Sequence, residues 1–71
     1  MNMDGTNRAE IHQGDTVEII LKADQASGKM TRGVVGRILT RSSNHPRGIK
    51  VQLTDGQVGR VCMIVSMPRA R

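Results

Sequence analysis

The 71-residue chain contains no Phe, Tyr or Trp, a single Cys and two Pro. Each shortage excludes something. One cysteine makes no internal disulfide and supplies no Cys-based zinc knuckle or finger, so packing alone must hold the domain together. Without aromatic rings the core has to be built from Val, Ile, Leu and Met. A reader of single-stranded nucleic acid would also forgo base stacking, which contributes about 1–3 kcal/mol per base. No window approaches the ~18 apolar residues of a membrane helix, and "MNMDGTNRAE" at the N-terminus has no apolar stretch. The length leaves room for one small domain and little wall for a deep enzyme cleft. A lone unpaired thiol suits a reducing cytosol. The expectation is a soluble cytoplasmic protein with no catalytic residues, no cofactor, no metal site and no small-molecule substrate.

Acid is also missing from one part of the chain. Thirty residues separate Asp24 from Asp55 without an Asp or Glu, and they carry Lys29, Arg32, Arg37, Arg41, Arg47 and Lys50. This segment is +6, whereas the remainder is −1 and the total is +5. Like charges so gathered repel unless solvent, salt or an anionic partner screens them. A merely solubilising face is the plain explanation. Against it stands the preference for Arg, whose planar fork matches phosphate where Lys offers a point charge. Within "TRSSNHPRGIK" (Thr40 to Lys50), Ser42, Ser43, Asn44 and His45 add hydrogen-bonding side chains beside Arg41 and Arg47, and Pro46 restrains the turn. The candidate nucleic-acid-binding residues are therefore Lys29, Arg32, Arg37, Arg41, Ser42, Ser43, Asn44, His45, Arg47, Lys50 and Arg60. Lacking aromatics, such a surface would read the backbone and shape of structured RNA or duplex. The alternative is a protein-interaction module that docks on a ribosomal or transcription component.

Hydrophobic spacing is of strand type. "GDTVEIIL" alternates Val17, Ile19 and Leu21 with polar residues and predicts a strand over residues 16–22. Further strands are predicted over 34–40 ("VVGRILT"), in "GIKVQLT" and in "QVGRVCMIV", the last two joined by a turn at Asp55-Gly56. The pattern T-x-G-x-V-G-R-[IV] occurs at Thr31 and again at Thr54. A bulge at Gly36 or Gly59 would let Val35 and Ile38, or Val58 and Val61, both face inward while Arg37 or Arg60 faces out. The predicted core is Val17, Ile19, Leu21, Val35, Ile38, Ile49, Val51, Leu53, Val58 and Val61. Cys62, inside "VCMIV", reads as one more small buried hydrophobe. Gly33-Val34-Val35-Gly36 enters a strand and so differs from the helix-joining GXXG loop of a KH domain. His12, His45 and Cys62 lack metal-ligand spacing. Residues 1–10 are read as a flexible N-terminal tail, 11–66 as a single small β-barrel domain and 67–71 as a C-terminal tail. The fold class is all-β, a small barrel of four or five antiparallel strands, with closure by residues 61–66 or by edge pairing of two chains left open.

"GDTVEI" followed by "TRGVVGRIL", from Gly14 to Leu39, resembles the KOW motif, which forms part of an SH3-like barrel in ribosomal proteins and transcription elongation factors. The intervening loop, "KADQASGKMTR", is longer here. Over nearly the whole domain the chain is also similar to the YwbE-like family of small bacterial proteins. The similarity rests on the elements Lys-x-Asp-Gln-x-[Ser/Thr]-Gly, Leu-Thr-x-Ser-x-x-His-Pro-x-Gly-Ile-Lys-Val and Gly-x-Val-Gly-Arg-Val. The resemblance implies an SH3-like, KOW-like barrel and brings no activity with it; KOW-like domains bind both RNA and proteins.

Overall fold

The structure, a computed structural model, describes residues 4–66. Four strands form: β1 (Thr16–Leu21), β2 (Thr31–Ile38), β3 (Lys50–Leu53) and β4 (Val58–Ser66), with short 3-10 turns at Arg8–Glu10 and Lys22–Asp24. Each strand pairs antiparallel with the next and β4 returns to β1, so the sheet is a closed barrel of four strands. No fifth strand is needed among the described residues. β4 is long enough to serve two neighbours: its first residues face β3, and it then runs on along β1 to Ser66.

Val17, Ile19, Val35, Ile49, Val51, Leu53 and Val61 are buried as their spacing predicts, with Leu21 and Ile38 packed against them. The β2–β3 register shifts between Val35 and Arg37, so the bulge falls at Gly36 and turns Arg37 outward while Ile38 returns to the core. The second copy of the repeated pattern behaves differently. Opposite β3 the register is regular, with Lys50, Val51 and Gln52 against Arg60, Gly59 and Val58. Here the inward position belongs to buried Gly59, and Val58 is half-exposed on the outer face. The physical reason is close approach, because a Cβ on Gly59 would stand 2.6 Å from the carbonyl oxygen of Ile20.

The alternation of β4 breaks twice further along: Cys62 is extra between the partners of Glu18 (Met63) and Ile19 (Val61), and Val65 between those of Thr16 (Ser66) and Val17 (Ile64). The first bulge sends Met63 outward and brings Ile64 into the core, which spacing alone did not predict. It also corrects the reading of Cys62, which is only partly buried; its thiol donates to the Glu18 carbonyl at 3.4 Å.

Residues 4–10 are not a loose tail. The Gly5 carbonyl accepts from Ile49 N (2.8 Å), the Thr6 carbonyl from His45 N (2.9 Å), and Arg8 N donates to the Ser43 carbonyl (2.8 Å). Arg8 Nε reaches the Thr40 carbonyl at 2.8 Å. The segment between β2 and β3 has no strand partner of its own, and this N-terminal strap satisfies its main-chain groups. Ile11, at the strap's end, is 2% exposed and joins the core. Asp15 is buried beneath the next turn, where its Oδ2 accepts from His12 N at 2.8 Å. Residues 1–3, and the whole predicted C-terminal tail 67–71, lie outside the described residues.

Candidate nucleic-acid interface

Antiparallel registry brings cations together that are far apart in sequence. Arg60 on β4 lies between Ile20 on β1 and Lys50 on β3. Like charges directly opposite on neighbouring strands are destabilising, so this pair calls for an anion or for water. Arg60 is anchored by an Nη1 hydrogen bond to the Gly48 carbonyl at 3.1 Å. Lys50 is held through its main chain: its amide donates to Thr40 Oγ1 at 2.7 Å and its carbonyl accepts from Leu39 N at 2.8 Å. Among the described residues no hydrogen bond or ion pair engages the Lys50 ammonium, which lines the surface beside Arg60.

Two hollows open on this face. One, of about 390 Å³, carries Lys22, Lys50 and Arg60 beside Ile20, Val58 and the Gly59 backbone. The other, of about 260 Å³, carries Arg47, Arg60 and Cys62. Ile20, Gln25 and Arg60 line both, so the two are halves of one groove across β4. Four cations line the groove and no carboxylate does. Burial pushes the Cys62 thiol up from its ordinary value of 9.0, and the Glu18 carboxylate adds to the effect. The groove's one nucleophilic atom is thus kept protonated, and what the groove offers is cations for anions.

The other predicted residues are distributed less compactly. Arg37 faces Gln52 on β3, two residues beyond Lys50 on the same outer surface. Arg41 is exposed on the loop after β2 and, among the described residues, its side chain bonds to nothing. Arg32 belongs to a different face, where its Nε meets Glu18 Oε2 at 2.7 Å across the β1–β2 pair. This ion pair neutralises a charge that sequence reading had assigned to the binding surface. Lys29 stands exposed in the loop between β1 and β2, away from the groove lining. Ser43, Asn44 and His45 line a separate hollow of about 510 Å³ with Thr6, Asn7 and Pro46, which contains no cation. The isolated bridge Asn7–Asn44 spans it, and His45 Nδ1 accepts from Arg47 N at 3.1 Å. Ser42 is exposed beside it. The polar loop therefore shapes the backbone around Arg47 and does not itself join the cationic groove.

Lys22 and Gln25 were missed. They follow β1, where "KADQ" reads as an ordinary charged loop, and only the barrel's stagger brings them beside Arg60. The signal that could have found them was the Lys-x-Asp-Gln element of the family resemblance, which begins at Lys22. Among the described residues no three His, Cys, Asp or Glu side chains gather as a metal site. No helix among them is long and apolar enough to cross a membrane.

Comparison with known proteins supports the resemblance to YwbE-like proteins. The chain is 56% identical over 64 residues to "Uncharacterized protein YwbE" of Bacillus subtilis (strain 168), a match that spans 90% of this chain and 98% of that protein. No solved structure matches. Residues 4–64 match the family described as "Uncharacterized conserved protein (DUF2196)", a span that includes the strap, all three groove-forming segments and the whole core. The chain belongs to this family.

Proposed function

We propose that this protein is a small basic nucleic-acid-binding module that attaches to structured RNA or duplex through the phosphate backbone. The observation that supports this most directly is the opposed pair Lys50 and Arg60, joined by Lys22 and Arg47 in a groove without acid. Placing like charges opposite one another on neighbouring strands is unfavourable, and a bound anion would relieve it more fully than water does. The missing aromatics make backbone contact the natural mode. A single unpaired thiol supports, in this reading, a location in the reducing cytosol.

The test is a salt titration of binding to a labelled RNA hairpin by nuclease-treated protein. With about four phosphates neutralised, log affinity should fall against log salt with a slope near −3 to −4. Changing Arg47 and Lys50 together to Gln should flatten the slope by about 2 and weaken all sequences alike. A double variant with unchanged affinity and slope would turn the assignment toward the second reading, a protein-docking module. That reading has its own surface in exposed Val34, Met63 and Val65 on β2 and β4.

A further inference from the structure

The division of the groove indicates how a nucleic-acid strand lies in it, an inference that rests on the function proposed above. Arg60 is common to both hollows, and each hollow has cations of its own: Lys22 and Lys50 in one, Arg47 in the other. A guanidinium carries five N–H donors in a fixed fork, and here one hydrogen bond goes to the Gly48 carbonyl. The remaining donors can serve acceptors on either side. A single phosphate would engage one hollow and leave the cations of the other uncompensated. Between the two cation sets, also shared by both hollows, are half-buried Ile20 and the amide of Gln25, which suit a neutral spacer and offer no charge.

We propose that two successive phosphodiesters of one strand straddle Arg60, the first held by Lys22 and Lys50 and the second by Arg47, with the intervening sugar over Ile20 and Gln25. The ligand is thus a phosphodiester strand at least two phosphates long. Cys62 lines the Arg47 hollow and is the chain's single cysteine, so it reports occupancy directly.

The experiment measures two things on the full chain with a labelled RNA hairpin. The first is the iodoacetamide alkylation rate of Cys62 with and without RNA, expected to fall about fivefold or more on binding. The second is competition by small probes at 0.1 M salt. Because one more phosphate contact is worth about eightfold there, a 5′-phosphorylated dinucleotide should displace the hairpin at about one-eighth the concentration of a mononucleotide 5′-monophosphate. Inorganic pyrophosphate, whose phosphates share one oxygen and cannot straddle Arg60, should do no better than the monophosphate. Lys22→Gln, which removes no intramolecular hydrogen bond, should weaken hairpin binding about eightfold and lower the salt slope by about 1. If the hairpin binds but Cys62 stays unprotected and Lys22→Gln binds as wild type does, no strand straddles Arg60 and this inference falls, whereas the proposed function is decided separately by the Arg47 and Lys50 double variant. Pyrophosphate equal to the dinucleotide would overturn the strand as ligand. Failure of the hairpin to bind even at 50 mM salt would overturn this inference and the proposed function together.

Discussion

Gly48 and Gly56 hold similar backbone angles, with φ of +102° and +96°, yet alanine should affect them very differently. Around Gly56, in the exposed β3–β4 turn, a Cβ would meet nothing within 4 Å, so Gly56→Ala bears only the left-handed strain of about 1 kcal/mol, and Gly56→Val about 1–2 kcal/mol. At buried Gly48 the same Cβ would collide with the Val61 carbonyl oxygen, against backbone that cannot rotate away. Gly48→Ala should therefore cost at least about 3 kcal/mol, read as the larger fall in melting temperature by circular dichroism. Cys62 gives a pH prediction. Its thiol is raised in the folded state, so the stability it contributes is fully present below the ordinary value of 9.0 and is lost as pH rises through the higher folded value. Wild type should lose stability above pH 9 relative to Cys62→Ala, whose profile should be flatter there. Asp55 works in the other direction. The Gln57 amide holds its carboxyl below the usual value of 3.8, so its contribution is present at neutral pH and fades only in stronger acid.

Among the elements, the strap of residues 4–10 matters beyond its length. Removing residues 1–7 takes away the carbonyls of Gly5 and Thr6 that accept from Ile49 N and His45 N. Two main-chain donors left without partners should destabilise the barrel by about 2–4 kcal/mol, with the earliest hydrogen exchange in residues 43–49. The bulge in β2 is the second such element. Gly36 is the residue without a β3 partner, so deleting it would leave Val35, Arg37 and Ile38 opposite Leu53, Gln52 and Val51 in regular alternation, with Arg37 still outward, and a cooperative melting transition should remain. This bulge was legible in the sequence because a glycine between Val35 and Arg37 is the one place where both side chains can keep their preferred environments. The bulge at Cys62 was not legible. Nothing in "VCMIV" marks which residue is extra, and its position depends on where β4 leaves β3 and takes up β1. The strap escaped for a similar reason: its residues are polar and aperiodic, and their order comes from main-chain groups of a loop more than thirty positions away. For the candidate site, the acid-free segment announced Arg47 and Lys50. Arg32 was misplaced because its partner Glu18 lies on another strand.

At the scale of the molecule, local charge excess has been converted into position. The +6 of the central segment is divided by folding: Arg32 pairs with Glu18; Lys29, Arg37 and Arg41 are displayed singly; and Arg47 and Lys50 are delivered to a groove completed by Lys22 and Arg60 from outside the segment. The salt slope should thus track groove residues and be indifferent to Arg32→Gln, a comparison that equal net charge makes clean. The closure of the sheet, first strand against last, has a different consequence, and it concerns synthesis. β1 cannot complete its pairing until Ser66 has left the ribosome, and before that moment both edges of the nascent sheet are open. The barrel should close only once that residue has emerged. Because its closing contacts span most of the chain, refolding followed by far-ultraviolet circular dichroism should take about milliseconds to seconds, slow for so short a polypeptide. Until the ring closes, the growing chain offers chaperones, and other nascent copies of itself, the unpaired strands that the finished protein hides.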